Sequence, residues 1–341
     1  MVKSSKYDVI ESMLAQKTSF AGFPTPLQRM PRLSEVLGGP RLFVKRDDMT
    51  DLAFGGNKAR KLEFLFQDAK NKGADVIISV GAAQSNCVCM VASAARRLGI
   101  KPVLVLVGNE PDVYDANLLL DKLLSAEIHF IEGYGPHVDD YMNKLAEEYR
   151  KKGHTPYVVP AGASLPSTVP GYALAMDELV KQFKDVGEEI DYVVCACGTG
   201  GTQSGLFFGA KLLAVKVEIL GASVFACKND ATNTIAKLVN GAAELYDVDF
   251  SVAPEEVTVF DEYIKEGYGI LNQSVTDAMK LVAETEGIFI DPVYTGKAMV
   301  MLLDLVKKGC FKKDDNVVFF HTGGLPEIFL YRDELTKACL R

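Results

Sequence analysis

Gly55-Gly56-Asn57-Lys58-Ala59-Arg60-Lys61 opens a helix with three cations, an unusual way for a helix to begin. The apolar residues that follow have the i, i+3, i+4, i+7 spacing of an amphipathic helix: Leu62, Leu65, Phe66 and Ala69. Asn57 is a favourable N-cap, and the three cations then fill the first turn, at the positive end of the helix dipole. Three interpretations are open: an anion binds here, one lysine is kept for its amine, or the turn is simply solvated.

The length and composition are those of a globular protein with one large or two ordinary domains. The chain has 341 residues, of which 48% are hydrophobic and 24% charged. Its formal net charge of -8 argues against nucleic acid or an anionic membrane as the main partner. No apolar run reaches the roughly 18 residues that span a bilayer, and the N-terminal segment lacks a signal-peptide core. We therefore expect a cytoplasmic enzyme.

The cysteines and histidines give no sign of a disulfide framework or a metal site. The cysteines are Cys87, Cys89, Cys195, Cys197, Cys227, Cys310 and Cys339. Their number is odd and no C-x-x-C occurs, which argues against disulfides. The four histidines are widely spaced, so we predict no metal ligands. We expect the cysteines to be small buried apolar residues.

Alternating β-branched runs and helical stretches over residues 76–159 predict a first α/β unit. The predicted strands cover residues 76–80, 102–107, 127–131 and 157–159. The helices between them run from Ser85 or Asn86 to about residue 98, through 118–124 and over 137–152. Three βα units in so short a segment imply a small, mostly parallel sheet wrapped by helices.

A second series of elements begins near Pro170. Its predicted strands cover residues 192–196, 217–220 and 317–320, and its helices cover 172–183, the stretch up to about 213, 275–286 and 297–307. We predict an α/β fold of two open, twisted, mostly parallel sheet domains, with the active site in the cleft between them. The large domain would comprise residues 1–60 and 166–341, and the small domain residues 61–165.

The stretch Gly198-Thr199-Gly200-Gly201-Thr202 lies between a predicted strand and its helix. Successive backbone N–H groups in such a turn form an anion-binding concavity at a helix N-terminus. No Gly-Lys-Ser/Thr follows, and Gln203 stands where a dinucleotide fingerprint needs its third glycine. The stretch is therefore either a cradle for a single phosphate or a tight turn that needs glycine for steric reasons.

Two more glycine turns follow predicted strands. Residues 81–86 end in Gln84-Ser85-Asn86, where a helix N-terminus can bind a carboxylate, although a plain N-cap is the commoner role. Residues 321–326 form the other turn, at a strand end of the kind where α/β folds bind ligands. Tyr268 and Tyr294 lie in glycine-flanked loops, and singly each tyrosine is more often packing than catalysis.

Together these segments supply an amine, a phosphate nest, a carboxylate site and phenols. That combination is what pyridoxal phosphate requires when it is bound to a lysine as a Schiff base and meets an amino-acid substrate. We therefore predict this cofactor and a small amino-acid substrate.

The motifs resemble those of the fold-type II pyridoxal-phosphate enzymes related to tryptophan synthase β. The nearest group contains 1-aminocyclopropane-1-carboxylate deaminase, D-cysteine desulfhydrase and L-cysteate sulfo-lyase. The resemblance covers most of the chain through residues 23–27, 45–48, 55–61, 84–86, 160–162, 198–202, 268–269, 291–297 and 321–324. Gly-Gly-Asn-Lys-x-Arg-Lys together with Gln-Ser-Asn is its most specific part.

The resemblance implies roles for the cofactor-binding residues. Lys58 would bind the cofactor covalently, and Asn86 would bond its phenolic oxygen. Thr295 and Thr322 would lie beside the pyridine nitrogen. The phosphate would be held by Gly198, Thr199, Gly200, Gly201 and Thr202.

The resemblance also implies roles toward the substrate. Gln84, Ser85 and Asn86 would bind the substrate carboxylate, and Tyr268 and Tyr294 would face the reacting carbons. Lys58, Ser85 and both tyrosines would be the catalytic residues. Family members are usually homodimers, which we expect here as well.

Two threonines favour one reaction of this group over the other. Ring-opening deaminases typically carry glutamate at the position of Thr295 and leucine at that of Thr322, whereas desulfhydrases carry threonine. A glutamate beside the pyridine nitrogen would favour its protonation and strengthen the electron sink. Two threonines give a weaker sink, which suffices when a good leaving group departs. We therefore expect β-elimination, with deamination as the alternative.

Cys87 and Cys89 depart from the desulfhydrase pattern, which has a histidine and an arginine there. With cysteines at these two positions, the chain lacks the basic groups beside the expected carboxylate site. The substrate is therefore less certain than the reaction class: D-cysteine, L-cysteate and the cyclopropane amino acid all stay open. A non-catalytic cofactor-binding protein is the interpretation that the intact Lys58 and Ser85 argue against.

Overall fold

The computed structural model describes residues 6–19 and 21–339, the side chain of Cys339 excepted, and contains two sheets. The strands are β1 (Leu27–Arg29), β2 (Arg41–Lys45), β3 (Val76–Ala82), β4 (Lys101–Val107), β5 (Glu127–Ile131), β6 (Pro156–Val159), β7 (Tyr192–Cys197), β8 (Glu218–Ser223), β9 (Thr258–Phe260) and β10 (Asn316–Phe320). The helices are α1 (Lys6–Ala15), α2 (Pro31–Leu37), α3 (Lys58–Asn71), α4 (Asn86–Arg97), α5 (Ala116–Leu123), α6 (Pro136–Lys151), α7 (Pro170–Asp185), α8 (Gly201–Leu213), α9 (Lys228–Leu245), α10 (Gln273–Glu286), α11 (Thr295–Lys307) and α12 (Arg332–Cys339).

The smaller sheet has the order β5-β4-β3-β6, and all its neighbours are parallel. Its strands are rich in buried valine and isoleucine because helices cover both faces. Along β3, Ile77 packs into a core with α3 and α4, whereas Val76 and Ile78 pack into the core beneath α6. This alternation is the two-residue period of a strand buried on both sides.

The larger sheet has the order β1-β2-β10-β7-β8-β9. The β1–β2 pair is antiparallel and the other pairs are parallel. Along the central strand β10, Val317 and Phe319 pack against α10 and α11, and Val318 and Phe320 pack against α7. The predicted α/β fold with two mostly parallel sheets is thus confirmed.

The predicted elements are present with boundaries shifted by a few residues, but several others had no prediction. Strand β1 was missed because it is only three residues long and lacks a buried face. Strand β2 was missed as well, although four of its five residues are buried. Helix α9 was missed because polar residues fill its first two turns, Lys228-Asn229-Asp230-Ala231-Thr232-Asn233-Thr234. In these segments the tertiary contacts outweigh a weak local pattern.

The strands of the smaller sheet lie within residues 61–165, and those of the larger sheet lie outside that range. Helix α3 crosses the predicted boundary at residue 60, so the domain limits themselves stay a prediction. The turns that follow β3, β7 and β10 all border one cavity. Within the part of the chain that the structure describes, no helix is both long and apolar enough to cross a membrane.

Candidate active site

A cavity of about 590 Å³ lies between the two sheets. It is bordered by the start of α3 and by the glycine turns after β3, β7 and β10. The predicted site residues that line it are Lys58, Ser85, Asn86, Gly198, Thr199, Gly200, Gly201, Thr202, Tyr268, Tyr294 and Thr322. Gln84 and Thr295 are absent from the described lining. The structure therefore brings together residues as far apart in the sequence as Lys58 and Thr322.

The first glycine pair is required by a close crossing of two backbone segments. A Cβ on Gly55 would lie 1.9 Å from the Asp48 carbonyl oxygen, and Gly55 has a φ of +77°. Gly56 forms an isolated antiparallel bridge with Gly323, and a Cβ on Gly323 would lie 2.7 Å from the Gly56 Cα. Only glycine fits where the chain before α3 passes the turn after β10.

Helix α3 begins at Lys58, as predicted, and the lysine amine lies 3.3 Å from the carbonyl oxygen of Gly162. Asn57 occupies the predicted N-cap position, but its side chain makes no capping hydrogen bond. Its backbone is already helical, and its side chain donates to Thr202 Oγ1 at 2.9 Å, across the cavity edge. Asn57 thus ties the helix that carries Lys58 to the Gly198–Thr202 turn.

Lys61 is a second amine at the cavity, and the sequence left its role open. It is 1% exposed and donates to Gly162 O at 2.6 Å and to Ser164 Oγ at 2.8 Å. Burial, and then the charge of Lys58, hold the pKa of Lys61 well below its usual value. The i, i+3 spacing from Lys58 was the sequence signal that both amines share one helix face.

The Gly198–Thr202 turn presents its backbone to the same corner. Gly200 is left-handed, with a φ of +79°, and α8 begins at Gly201. A Cβ on Gly201 would lie 2.5 Å from Lys61 Nζ, so the amine sits directly against the helix N-terminus. A glycine nest, a helix N-terminus and a buried amine with neutral partners form a donor set that fits a phosphate.

Ser85 is the N-cap of α4 and accepts a hydrogen bond from Val88 N at 3.3 Å. A Cβ on Gly81 would lie 2.7 Å from Ser85 Oγ, so glycine leaves room for that hydroxyl. Gln84 instead points its amide at the chain before α5 and donates to Asp115 O at 3.2 Å. The α4 N-terminus and Ser85 therefore face the cavity, whereas Gln84 supports the loop.

Asn117 is a supporting residue that the sequence gave no signal for. It is 2% exposed, and its Nδ2 donates to Asn86 Oδ1 at 2.7 Å and to Gln84 O at 2.9 Å. Because Asn86 Oδ1 accepts this bond, the NH₂ group of Asn86 is left to face its other neighbours. One asparagine thus sets the orientation of another at the cavity wall.

The two predicted tyrosines meet at the cavity through a hydrogen bond between their hydroxyl groups. Burial raises the pKa of both, so they are neutral hydrogen-bond donors at ordinary pH. Lys297, 1% exposed, supports the Tyr268 loop by donating to Ile264 O at 2.9 Å and Gly267 O at 2.5 Å.

The two predicted threonines have different surroundings. Thr322 borders the cavity. Thr295 is fully buried and donates its hydroxyl hydrogen to Asp291 Oδ1 at 2.5 Å, while accepting from Asp291 N at 2.7 Å. The role of Thr295 beside the pyridine nitrogen stays a prediction, and its hydroxyl is shared with Asp291.

The two cysteines that replace basic residues also differ. Cys87 borders the cavity. Cys89 faces Asp121, a 1% exposed carboxyl on α5 whose pKa burial raises to about 7. Only the Cys87 replacement therefore changes the cavity wall directly.

The prediction of buried cysteines is only partly right. Cys87, Cys89, Cys195 and Cys197 are buried, but Cys227 and Cys310 are exposed. The exposed pair lies at helix ends, just before α9 and just after α11, where the chain returns to the surface. The side chain of Cys339 lies outside the described residues. Among the residues described, no group of three or more His, Cys, Asp or Glu could hold a metal ion.

A lysine amine, a glycine turn at a helix N-terminus with a second amine beside it, an asparagine amide and the N-terminus of α4 surround one cavity between two mostly parallel sheets. This arrangement defines a pyridoxal-phosphate enzyme of fold type II. The comparison with protein families agrees, because the model of the pyridoxal-phosphate dependent enzymes matches residues 18–323. The chain belongs to this family, and within it to the group of 1-aminocyclopropane-1-carboxylate deaminase and D-cysteine desulfhydrase.

Similar proteins carry both names. A putative 1-aminocyclopropane-1-carboxylate deaminase of Pyrococcus abyssi (strain GE5 / Orsay) is 40% identical over 92% of this chain and 93% of its own length. A D-cysteine desulfhydrase of Klebsiella pneumoniae (strain 342) is 38% identical over 92% and 95%. The crystal structure of an ACC deaminase homologue superposes with a TM-score of 0.89 at 36% identity, covering 96% of this chain and 98% of that one.

Proposed function

We propose that this protein catalyses β-elimination on a small sulfur-containing amino acid, with D-cysteine as substrate and pyruvate, ammonia and sulfide as products. The observation that carries this proposal is the lining of the cavity, whose described residues include no aspartate or glutamate. Thr322 contributes a neutral hydroxyl instead. A neutral group beside the pyridine nitrogen does not favour its protonation, so the ring withdraws electrons less strongly. Weaker withdrawal is sufficient for a reaction in which thiolate, a good leaving group, departs.

When bound, pyridoxal phosphate supplies an aldehyde that condenses with a primary amine and a ring that withdraws electrons from the adjacent carbon. In this chain Lys58 would hold the aldehyde carbon. The Gly198–Thr202 turn and Lys61 would hold the phosphate, and Asn86 would face the phenolic oxygen. These residues already lie around one cavity.

The substrate carboxylate would bind at the N-terminus of α4. Free backbone N–H groups and the helix dipole favour an anion there, and the Ser85 hydroxyl adds a further polar contact. Lys58 Nζ would then remove the proton from the substrate Cα. The neutral Tyr268 and Tyr294 would donate hydrogen bonds to the departing sulfur and stabilise the negative charge that develops on it.

The charge of the lining argues against L-cysteate as the preferred substrate. Its described cations are Lys58 and Lys61, which the cofactor would occupy. Cys87 borders the cavity where a basic residue stands in many desulfhydrases. A sulfonate would therefore enter a cavity without a free counter-charge, which is unfavourable.

Ring-opening deamination is the second candidate, supported by the name of the Pyrococcus abyssi relative. It gives a different keto acid, 2-oxobutanoate, in place of pyruvate. Purified protein saturated with pyridoxal phosphate should be assayed with D-cysteine, L-cysteine, L-cysteate and 1-aminocyclopropane-1-carboxylate. We expect pyruvate and sulfide from D-cysteine at the highest kcat/KM.

A clear preference for the cyclopropane substrate would refute β-elimination as the main activity. Bound cofactor with no turnover of any of the four substrates would indicate a non-catalytic protein. Sulfite release from L-cysteate at a rate above that of D-cysteine would contradict the charge argument.

Lys58→Ala is the most direct test of the covalent attachment point. We expect loss of the visible absorbance of the lysine-bound cofactor and loss of turnover, because the variant lacks the amine that would hold the aldehyde carbon. Lys70→Ala, which changes an exposed lysine of the same helix, is the matched control and should leave both unchanged. A retained absorbance band in Lys58→Ala would assign the attachment to another lysine.

A further inference from the structure

Glu327 is a buried carboxyl group just behind the cavity wall. It lies on the short 3-10 helix Leu325–Tyr331, directly after the turn that borders the cavity, and it is 3% exposed. A Cβ on Gly324, which has a φ of +92°, would lie 2.8 Å from Asp291 Cγ. The glycine therefore lets this helix pack directly onto Asp291. No sequence motif marks Glu327.

Glu327 and Asp291 form a pair of buried carboxyl groups. Asp291 accepts hydrogen bonds from the backbone N–H groups of residues 293–295 and from the Thr295 hydroxyl. Four hydrogen-bond donors thus point at the carboxylate oxygens of Asp291. Burial first, and then the Asp291 charge, raise the pKa of Glu327 well above its usual value. Both effects favour the protonated, neutral form of Glu327.

The other polar neighbour of Glu327 is Asn86, whose amide is placed to donate to it. Asn117 already holds Asn86 Oδ1 at 2.7 Å, so the NH₂ group of Asn86 must turn the other way. Asn86 thus lies beside Glu327 and also borders the cavity, and its NH₂ group has two hydrogens to donate. Glu327 Oε2 has no hydrogen-bond partner among the described residues.

We propose that Glu327 is a positioning residue, which through Asn86 aims an amide hydrogen at the phenolic oxygen of the cofactor. The inference rests on the proposed role of Asn86. A hydrogen bond to that oxygen stabilises its anion and makes it less basic. Glu327 thereby lowers the pH at which the lysine-bound cofactor loses its proton. An asparagine free to rotate would do this less well.

The remaining titratable groups around Glu327 are tyrosines. Tyr268 and Tyr294 border the cavity, and Tyr331 lies at the end of the same 3-10 helix. Burial raises the pKa of all three, for Tyr331 to about 12. They stay neutral through the range in which the cofactor titrates, so they do not obscure the effect of Glu327.

The test is a spectroscopic pH titration of the holoenzyme. The variants are Glu327→Leu, Glu327→Gln, Asn86→Ala and the double variant Glu327→Leu/Asn86→Ala. We expect Glu327→Leu and Asn86→Ala each to raise the midpoint of the visible-band titration by about 0.5 pH unit or more. Glu327→Gln should stay near the native midpoint, since its carbonyl oxygen still accepts from Asn86. The double variant should shift no further than Asn86→Ala alone.

Glu334→Leu, which changes an exposed glutamate of α12, is the matched control and should titrate as the native protein does. If Glu327→Leu does not fold, Glu327→Ser can replace it, because the serine side chain is too short to reach Asn86. If Glu327→Leu keeps the native titration midpoint while Asn86→Ala shifts it, the proposal is overturned and the role of Asn86 is left intact. An unshifted Asn86→Ala would refute that role and the proposal with it. Neither result depends on which substrate is turned over.

Discussion

The first turn of α3 has two buried cations, of which one is paired with carboxylates and the other is not. On the side away from the cavity, Arg60 donates to both oxygens of Asp47 at 2.8 Å and to Glu178 at 3.0 Å. On the cavity side, Lys61 is equally buried but donates only to neutral oxygens. A buried charge without a counter-charge is costly unless a ligand supplies one. The paired side stabilises the fold, and the unpaired side is the one that we propose binds the phosphate of the cofactor.

The Arg60 side is a closed cluster. Asp47 is fully buried and also accepts from Tyr172 Oη at 2.6 Å and Thr25 Oγ1 at 2.8 Å. Lys45 completes the cluster through an ion pair with Glu178. The guanidinium holds the pKa of Asp47 below its usual value, against the effect of burial. The cluster anchors α3, and with it Lys58, to the larger sheet.

The largest effect is expected from breaking the paired side. Arg60→Leu leaves the Asp47 charge buried without its partner, which should cost about 3–5 kcal/mol of the free energy of unfolding. The measurement is urea unfolding of the protein without cofactor. Arg97→Leu, which changes an exposed arginine beside Asp51, is the control and should cost less than about 1 kcal/mol. Equal losses in the two variants would contradict the importance of the cluster.

Asp121 is a second buried ionisable group without a counter-charge, and because it lies away from the cavity it tests whether the comparison extends beyond the active site. Burial raises the pKa of Asp121 from 3.8 to about 7. Its stabilising contribution is complete below pH 3.8 and is lost as the pH rises through 7, because ionisation is disfavoured only in the folded protein. Asp121→Asn should therefore unfold like the native protein near pH 4 and be more stable at pH 8, by at most about 4 kcal/mol.

The control for Asp121 is Asp277→Asn, an exposed carboxylate on α10. It should change the free energy of unfolding by less than about 0.5 kcal/mol at either pH. A difference between Asp121→Asn and the native protein that does not grow with pH would show that Asp121 is ionised in the fold.

Removing the unpaired amine should weaken cofactor binding and spare the fold. Lys61→Met deletes a charge-assisted contact to phosphate, for which we expect the cofactor Kd to rise roughly 10- to 100-fold. The Kd is measured by titrating the protein without cofactor with pyridoxal phosphate and following absorbance. Its free energy of unfolding without cofactor should not fall, since no counter-charge is left unpaired. Lys70→Met is the control, and an unchanged Kd in Lys61→Met would place the phosphate elsewhere.

The smallest effect concerns Lys297, a buried lysine whose partners are the backbone of the Tyr268 loop. Burial lowers its pKa, and Lys297→Met removes two hydrogen bonds that hold Gly267 and Ile264. We expect kcat to fall about 10-fold through misplacement of Tyr268, with little change in cofactor Kd. Lys265→Met, on the exposed side of the same loop, should keep the native kcat. A changed cofactor Kd with native kcat would be inconsistent with this role.

Much of the fold and of the candidate site could be predicted because local patterns report on local geometry. The stripe after Lys58 predicted α3, and the alternation of apolar runs predicted the parallel strands. The three glycine turns could be found because each follows a buried strand. What was missed had a weak local signal, since β1 is too short and the start of α9 is too polar. Asn57 has the predicted N-cap position, but its side chain bonds Thr202 instead of capping the helix.

The roles of individual polar groups could not be predicted in the same way. Gln84 supports the chain before α5, and the Thr295 hydroxyl is engaged by Asp291, although both carry family motifs. Asn117 and Glu327 had no motif, yet both contact Asn86 from distant segments. Which atoms a side chain bonds depends on the neighbours that folding brings to it, and those lie far away in the sequence.

By itself the sequence determined the α/β elements, the glycine turns at three strand ends, the lysine at the start of α3 and the cofactor that these together require. Spacing and conformational preference are local properties, so they can be recognised before folding. Only the tertiary structure decided that Arg60 is neutralised by Asp47 and Glu178 while Lys61 is left for an anion, and that Glu327 stands behind Asn86. Charge pairing and burial arise from contacts between segments distant in the chain, which no local pattern specifies.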